Sequence, residues 1–341
     1  MADHYGQSRK RLSGAWIVAI VIGAVLLYIG VLFGIRTIGD KIEKQDTVET
    51  VGSLEGRFPS ETLTMQYGGR TWTYRKNTLT NLLLIGVDWE ESESSSSGRY
   101  AGQADFLLLV TLDRTNKTVF TLQLDRDTMA DIRIYGPFGD YTGIQTAQIC
   151  LSHAYGANDA ANCENTVWAV SRLLNGIPID GYLALDMSSI SLLNDALGGV
   201  TVTLEDDLSA LDPEMTVGAT VTLHGSQAET FVRSRMAVGD GKNTSRMRRQ
   251  RAFMKAAEEL LFQGMNEDMN FVGSVYDALE GHITTDIKRG WLINKAYECK
   301  AYQRSDMVTP AGSHSVSTDG FMEFYADTDS LNELLTEHYF E

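Results

Sequence analysis

Cationic side chains are concentrated between Glu229 and Arg251, in a chain whose formal net charge is −16. Arginine presents a rigid fork of N–H donors that matches pairs of phosphate or carboxylate oxygens. In an acidic chain such a cluster indicates a local anion site rather than a general attraction to nucleic acid, so we predict no nucleic-acid partner. A solvated basic helix face is the alternative interpretation. The cationic residues are Arg233, Arg235, Lys242, Arg246, Arg248, Arg249 and Arg251.

The spacing inside this cluster distinguishes inward from outward side chains. A helix that begins near Ser245 places Arg246 and Gln250 in the middle of an apolar stripe and directs Arg248 to the opposite side. Polar groups on an inward face need partners, and a helix N-terminus attracts anions. The stripe consists of Phe253, Met254, Ala257, Leu260 and Leu261.

Upstream of this helix, the segment from Ala228 to Arg235 alternates, which predicts a strand whose one face carries Arg233 and Arg235. We therefore expect four side chains to converge on one anion: Arg233, Arg235, Arg246 and Gln250. The remaining cationic residues Arg248, Arg251 and Lys242 are predicted to face solvent, and Arg249 receives no role.

Two aspartates stand at the ends of apolar segments that are predicted strands. Asp88 follows NLLLIGV and Asp105 precedes FLLLVTL, so antiparallel pairing of the two strands brings both carboxylates to one sheet edge. Arg126 and Asp127 follow a third strand, TVFTLQL. Each aspartate taken alone is equally a turn former or a helix cap. Two carboxylates beside diphosphate-binding arginines suit Mg²⁺, which binds one or two carboxylates together with substrate oxygens.

The elements that must position these residues alternate between strand and helix. Strands are predicted at residues 81–87, 106–112, 118–124, 182–185 and 200–204, with a hairpin at 65–75 and a further strand near Val308. Helices are predicted at residues 144–155, 165–174, 188–196, 267–280, 287–300 and 330–338. This interleaving predicts an α/β class, arranged as an α/β/α sandwich with a mixed central sheet.

The segment from Ala15 to Ile35 carries no charge and, as a helix, is about 31 Å long, enough to cross a bilayer. A secretory signal peptide would be shorter and would end in a small-residue cleavage site. Basic residues at 9–11 place the N-terminus in the cytoplasm. We predict a cytoplasmic tail at 1–14, a transmembrane helix at 15–35, an extracytoplasmic tether at 36–60, a hairpin at 61–80 and an extracytoplasmic domain at 81–341. The predicted localisation is the cell membrane, with a single pass.

Cys150 and Cys163 bracket a short segment, and in an exported domain they predict a disulfide that leaves Cys299 as a buried free thiol. Three unpaired buried thiols are the alternative. The spacing of the cysteines is not that of a metal site.

Seven segments, in chain order, resemble the extracytoplasmic domain of the LytR-CpsA-Psr family: NLLLIGVD, ADFLLLVTLD, LQLDRDT, SHAYG, LLNGIPIDGYLALD, LNDALGGVTVTL and FVRSR…SRMRRQRAF. The resemblance implies an α/β/α sandwich that binds a polyprenyl diphosphate-linked glycan in the bacterial cell envelope. It implies Mg²⁺-assisted transfer of the glycan phosphate, as teichoic acid or capsular polysaccharide, to a peptidoglycan acceptor. Two other functions stay open: a non-catalytic envelope regulator that binds polyprenyl diphosphates, and a hydrolase of the same lipid.

By position, the resemblance assigns Asp88 and Asp105 to the metal. It assigns Arg126 to the diphosphate, together with the four residues that the spacing selects. Three positions that are usually cationic in the family differ in this chain, namely Gln103, Ala130 and Cys150, although Arg133 is close to Ala130. Asp125 stands where a proline is usual. These departures leave open a different acceptor or weaker catalysis.

The remaining expectations concern the lipid and the proton. A hydrophobic pocket between sheet and helices would hold the prenyl chain, and ordinary core packing is the alternative for each lining residue. Asp105, Asp127 or a neighbour would act as the base on the acceptor hydroxyl, with Arg126 as a further catalytic residue. The pocket residues are Trp168, Leu192, Leu193, Phe253 and Leu261. The oligomeric state is not predicted.

Overall fold

The structure, a computed structural model, describes residues 62–88, 102–136, 139–234, 238 and 243–341. The predicted tail, transmembrane helix and tether at residues 1–60 lie outside these ranges, as do Arg235 and Lys242. Within the described ranges, no helix has the length and apolar character needed to cross a membrane.

Strands and helices alternate along most of the chain. The strands are β1 (Thr64–Tyr67), β2 (Arg70–Thr73), β3 (Leu79–Asp88), β4 (Gln103–Asp113), β5 (Thr118–Leu124), β6 (Met129–Tyr135), β7 (Tyr141–Gln148), β8 (Gly181–Asp186), β9 (Thr201–Thr203), β10 (Thr220–Thr222), β11 (Ile283–Thr285), β12 (Gln303–Arg304), β13 (Gly312–Val316) and β14 (Met322–Ala326). The helices are α1 (Asp159–Leu173), α2 (Ser189–Ala196), α3 (Ser226–Arg233), α4 (Asn243–Glu267), α5 (Phe271–Ala278), α6 (Arg289–Cys299) and α7 (Thr328–Tyr339).

A six-stranded mixed sheet, in the order β11-β8-β3-β4-β5-β12, forms the centre of the domain. Strand β3 pairs antiparallel with β4 and parallel with β8, and β4 pairs antiparallel with β5. Because both faces of these central strands are covered, their sequences are continuously apolar rather than alternating. The predicted mixed α/β fold with a central mixed sheet is confirmed.

Helices cover both faces of the sheet. On the first face, Leu83, Leu107 and Leu122 are fully buried against α1 and α7. On the second face, Leu82 packs with Trp291 of α6. A separate apolar cluster joins α2, α3, α4 and α5 to the β9–β10 hairpin, with Phe231 and Phe253 buried within it.

The helix predicted at residues 144–155 is wrong. Those residues form the end of β7, where Ile144 pairs with Arg133 of β6, followed by a 3₁₀ turn over Ile149–His153. The apolar spacing of a short run does not by itself distinguish strand from helix. Here the antiparallel pairing of β7 with β6 makes residues 141–148 a strand.

The strand predicted for Ala228 to Arg235 is also wrong, because Ser226–Arg233 is helix α3. Ala228, Phe231 and Val232 are its buried residues, and they stand at the i, i+3, i+4 spacing of one helical face. Near Val308, the predicted strand is reduced to an isolated bridge with Leu122.

The C-terminal residues close the domain against its first hairpin. Thr73 of β2 and Glu341 exchange two backbone hydrogen bonds, each 2.8 Å long. Phe340 packs edge-on against Tyr74, with the ring centroids 5.9 Å apart. The β1–β2 hairpin that the sequence predicts is confirmed.

Candidate active site

A β-bulge positions Asp105 at the edge of the central sheet. Along β3 and β4, Gly86 pairs with Phe106 and Val87 pairs with Ala104, so Asp105 is the extra residue between them. A bulge redirects a side chain relative to its neighbours in the strand. The Asp105 carboxylate is thereby 5% exposed and lies between two arginines.

Arg126 binds one side of this carboxylate. Its Nη1 donates to Asp105 Oδ1, its Nη2 donates to Gln103 Oε1, and its Nε lies 3.4 Å from Asp127 Oδ1. Burial opposes the positive charge, but the interactions of the guanidinium with Cys150, Asp105 and Asp127 outweigh this effect and raise the pKa of Arg126. Arg126 therefore stays cationic at the end of β5.

Arg246, in the first turn of α4, binds the other side. Its Nη1 donates to Asp105 Oδ2 at 2.9 Å, while Nε and Nη2 both donate to Asn243 Oδ1, at 3.0 and 2.6 Å. The side chain is 4% exposed. The prediction that Arg246 points inward is confirmed.

Arg233, at the end of α3, reaches the same region from a third direction. Its Nη2 donates to Asp88 Oδ1 at 2.8 Å, and its Nη1 donates to Glu229 Oε1, one helical turn earlier, at 3.2 Å. Both Arg233 and Asp88 are about one-third exposed. The helix thus delivers Arg233 to the sheet edge in place of the predicted strand.

Gln250 lies one turn after Arg246 on the same face of α4 and is buried. Its Oε1 accepts a hydrogen bond of 3.2 Å from Gln123 Nε2 of β5. We call Arg126, Arg233, Arg246 and Gln250 the cationic clamp. Of the predicted diphosphate-binding residues, Arg235 lies outside the described residues.

The other arginines of α4 divide differently from the prediction. Arg248 faces solvent as expected, beside Glu205 and Asp206. Arg251 is half-buried rather than solvent-facing, because it donates to Gln123 Oε1 at 3.1 Å. Arg249, for which no role is predicted, is buried and joins α4 to Asp206 and to the carbonyl of Phe231.

Two positions where the resemblance implies a cation carry neutral side chains that lie beside Arg126. Gln103 accepts from its Nη2, and Cys150 Sγ lies 3.2 Å from the same nitrogen. Arg133 does not replace a cation at Ala130, because residues three apart on a strand face opposite ways and the Arg133 guanidinium lies over Trp168, 4.6 Å from its centroid. Gln103, Ala130 and Cys150 therefore add no cation beside Arg126.

The predicted disulfide between Cys150 and Cys163 is wrong, since both thiols are free and buried. Each sulfur has its own partner: Cys150 lies against Arg126, and Cys163 Sγ lies 3.6 Å from His153 Nε2. Burial raises the pKa of Cys150 to about 11, against the opposing effect of Arg126, and raises that of Cys163 to about 12. Cys299 is free and buried, as predicted.

Apolar side chains continue from the site across the second face of the sheet. Leu84, Phe106 and Val110 are only half-buried although they belong to central strands, whereas Leu83, Leu107 and Leu109 on the first face are fully buried. Of the predicted pocket residues, Leu193, Phe253 and Leu261 belong to the cluster around α4. Trp168 packs on the first face instead, and Leu192 is exposed, so these two do not line the same pocket.

Several residues around the site were missed in the sequence. Asn243, Gln123 and Asp125 contact the clamp or its partners, yet each resembles an ordinary polar residue in its segment. The signal available for Asn243 was its position three residues before Arg246, which puts both on one face of a helix. Gln123 offered a different signal, because it is an amide placed between two buried leucines of a strand.

The chemistry of this edge is that of an anion site with carboxylates at its centre. In this structure the arginines of the clamp are neutralised by Asp88 and Asp105. A diphosphate offers the same pairs of oxygens to the same donors, in a buried setting where charge-assisted hydrogen bonds are strong. The geometry therefore suits binding and polarisation of a phosphate group.

Comparison with known sequences gives one family. The sequence profile of the LytR_cpsA_psr family matches residues 39–339. The protein named polyisoprenyl-teichoic acid--peptidoglycan teichoic acid transferase TagU, from Bacillus mycoides, is 25% identical over 318 residues, which cover 91% of this chain and 96% of that protein. Biofilm regulatory protein A of Streptococcus mutans is 31% identical over 190 residues, which cover 53% of this chain and 44% of that protein.

Solved structures share the fold. B. subtilis TagV superposes with a TM-score of 0.58 and 22% identity, covering 76% of this chain and 97% of TagV. The structure described as TagT bound to LI-WTA gives a TM-score of 0.57 at 20% identity, covering 77% of this chain and 90% of that one.

Proposed function

Because this chain belongs to the LytR_cpsA_psr family, we propose that it transfers a polyprenyl diphosphate-linked glycopolymer onto peptidoglycan and releases polyprenyl phosphate. The glycopolymer is a teichoic acid-like or capsular polysaccharide. One observation carries the proposal: Arg126 and Arg246 converge on the two oxygens of the buried Asp105 carboxylate, where a diphosphate would present equivalent oxygens. Arg233 extends this set of donors to Asp88.

The clamp has two tasks in this reaction. Its arginines hold the diphosphate in place, and they offset the negative charge that develops on the leaving polyprenyl phosphate. Donors fixed by burial and by mutual contacts need little rearrangement when this charge appears, which is why preorganised sites accelerate phosphoryl transfer. Gln250, held by Gln123, adds a neutral amide beside Arg246.

The donor set also fits Mg²⁺. The described residues contain no group of three or more His, Cys, Asp or Glu side chains arranged to hold a metal. The candidates are two carboxylates, Asp88 and Asp105, which is the number that Mg²⁺ takes from a protein when phosphate oxygens and water complete its shell. When bound there, the ion would neutralise phosphate charge.

An apolar surface of the protein, suited to the prenyl chain, lies next to the clamp. Phe106 adjoins Asp105 in β4, and Leu84 lies two residues before Gly86 on the same face of β3. These half-buried side chains gain burial if an isoprenoid chain covers them, at about 25 cal/mol for each Å² removed from water. We place the lipid between this sheet face and the α4 cluster.

We also propose that the helix predicted at residues 15–35 anchors the domain outside the cell, with the N-terminus in the cytoplasm. A test is protease protection in intact cells that express the full chain with an N-terminal epitope. The proposal expects loss of the domain and retention of the epitope. Loss of both, or of neither, contradicts the orientation.

The transfer reaction is tested with the full chain in detergent, Mg²⁺, a polyprenyl diphosphate-linked glycan and peptidoglycan fragments. A glycan joined covalently to the acceptor supports transfer. Release of free glycan phosphate would identify a hydrolase, and tight binding without turnover would identify a regulator. Asp88→Asn and Asp105→Asn should each reduce the Mg²⁺-dependent part of lipid diphosphate binding, whereas the exposed Asp319→Asn should not.

A further inference from the structure

A cavity lies beside the clamp, on the neighbouring face of α4. Its volume is about 110 Å³. The walls come from the residue before Arg126, the first turns of α4, the segment before β13, and the β13–β14 hairpin. The lining residues are Asp125, Thr244, Met247, Arg251, Thr309, Pro310, His314 and Phe324.

One wall of this cavity is an imidazole–carboxylate pair. His314 Nε2 lies 2.9 Å from Asp125 Oδ2, and the Asp125 side chain is 6% exposed while His314 is 33% exposed. A carboxylate only accepts, so Nε2 carries a proton, and in the neutral ring Nδ1 is the nitrogen that keeps its lone pair. The other carboxylate oxygen accepts from Asn243 Nδ2 at 2.6 Å and from the Asp127 backbone at 2.9 Å. Asp125 is therefore fixed, and it fixes the ring.

Two hydrogen-bonded connections join this cavity to the cationic clamp. In the first, Asn243 donates to Asp125 and accepts from Arg246. In the second, Gln123 accepts from Arg251 and donates to Gln250. The α4 residues that line the cavity each follow Asn243, Arg246 or Gln250 by one position. One residue corresponds to a turn of about 100° around a helix, so the cavity and the clamp lie on neighbouring faces of α4.

The β13–β14 hairpin is tied to the strand end that carries Arg126. The Phe324 backbone donates to the Asp127 carbonyl at 2.8 Å, and the Phe324 ring lies against His314 with centroids 4.8 Å apart. His314 is thereby held at a fixed place relative to the phosphate-binding edge.

We propose that this cavity receives the acceptor sugar and that His314, oriented by Asp125, is the base that activates its hydroxyl. This inference rests on the proposed transfer function. The lining suits a sugar, because it combines apolar surface from Met247, Pro310 and Phe324 with polar groups able to fix hydroxyl or acetamido substituents. Apart from His314, the charged groups among the described lining residues are Asp125 and Arg251.

In the reaction, the acceptor hydroxyl oxygen forms a bond to the phosphorus that carries the glycan. The hydroxyl proton passes to Nδ1 of His314, and the bond between this phosphorus and the bridging oxygen breaks. That oxygen leaves on polyprenyl phosphate with the electron pair. Asp125 stays ionised and stabilises the imidazolium ion, as the carboxylate does in hydrolases with an imidazole base.

The decisive variant is His314→Gln, because its side-chain amide can still donate to Asp125 but cannot take up a proton. We expect transfer to fall at least about 100-fold, the contribution typical of a general base, while binding of polyprenyl diphosphate stays unchanged. For His314→Ala we expect the same loss and partial recovery of the rate on addition of imidazole. Asp125→Asn should lower the transfer rate without weakening lipid binding.

The control is His224→Ala, which removes an exposed imidazole outside the cavity and should transfer at the wild-type rate. Transfer by His314→Gln within about threefold of wild type would overturn the inference, since a base contributes more than this, and it would leave the proposed function intact. Failure of the wild-type chain to join glycan to acceptor would overturn the proposed function, and this inference with it. Equal losses of lipid binding and transfer would assign His314 a structural role and reject it as the base.

Discussion

At the scale of single residues, Asp105 is the group on which the site depends. Both of its oxygens accept from arginines that come from different elements, Arg126 after β5 and Arg246 in α4. Loss of one of these partners would leave buried charge uncompensated, and this would strongly destabilise the folded protein. The arginines of the clamp are thus held together by an anion of the protein itself, at the place where the anion of the substrate is proposed to bind.

This arrangement makes Arg246 and Arg248 a matched pair for mutation. Arg246→Ala should weaken binding of polyprenyl diphosphate about 10- to 100-fold, because it removes a buried charge-assisted donor. Arg248→Ala, two residues along the helix, should change binding less than about twofold because exposed ion pairs contribute little. Titration calorimetry with a short-chain polyprenyl diphosphate measures both variants. Equal effects would show that the inward face of α4 does not meet the ligand.

A second prediction at this scale concerns the cysteines. The chain unfolded without reductant should take up three alkyl groups, because all three thiols are free. In the folded chain alkylation should be slow, since burial raises the pKa of Cys150 and Cys299 to about 11 and that of Cys163 to about 12. Intact mass spectrometry counts the groups. If only one cysteine is alkylated after unfolding, the other two form a disulfide, and the finding of three free thiols is contradicted.

At the scale of elements, the bulge between β3 and β4 decides where Asp105 points. Gly86 allows it: a Cβ at this position would lie 2.9 Å from the Phe106 Cβ, closer than the packed strands accept. The close approach of β3 and β4 at the bulge therefore requires glycine at position 86.

We therefore expect Gly86→Ala to destabilise the fold by about 1–3 kcal/mol, the range for overpacking a core, and to weaken lipid diphosphate binding as well. Urea unfolding and calorimetry measure the two effects. Thr80→Ala, on the same face of β3 but away from the bulge, provides the comparison and should leave binding unchanged. A Gly86→Ala variant with normal stability would mean that the strands separate freely at this point.

The elements also show what the sequence could predict and what it could not. Asp88 and Asp105 were found because each directly borders a long apolar run, and Arg246 was found because a helix of 25 residues keeps its phase. Helix α3 was missed because the alternation that puts Phe231 and Arg233 on one face predicts a strand, whereas the buried positions 228, 231 and 232 have helical spacing. His314 and Asp125 were missed for another reason: they are 189 positions apart, so their pairing depends on how β13–β14 folds back onto β5.

At the scale of the whole molecule, a half-buried carboxylate beside the central sheet is not used by the proposed chemistry. Asp180 precedes β8, and its Oδ2 accepts from the Asn81 backbone at 2.7 Å. Burial raises the pKa of Asp180 to about 6, and the hydrogen bond from Asn81 offsets only part of that effect. Because the folded pKa exceeds the unfolded one, the stability that Asp180 contributes is present below about pH 4 and is lost as the pH rises through 6.

Asp180→Asn keeps an acceptor for Asn81 and removes this dependence. We expect the variant to be more stable than wild type at pH 7.5, by roughly 1–3 kcal/mol, from 1.4 kcal/mol per pKa unit discounted for partial exposure. The difference should disappear near pH 4. Urea unfolding of the full chain in detergent at both pH values measures it, with the exposed Asp319→Asn as the control. A variant that is less stable than wild type at pH 7.5 would contradict the assignment.

The backbone pairing between Thr73 and Glu341 brings the last residue of the chain beside the first hairpin. Glu341 is the outer neighbour of β2, whose other neighbour is β1, so Glu341 and Thr64 lie two inter-strand spacings apart, roughly 10 Å. A linker of about four residues spans that gap. An excised domain of residues 62–341 is accordingly suited to circular permutation, with residues 62 and 341 joined and new ends opened at the exposed β9–β10 turn around Gly218. A reporter placed at those new ends would be attached away from the β1–β2 hairpin.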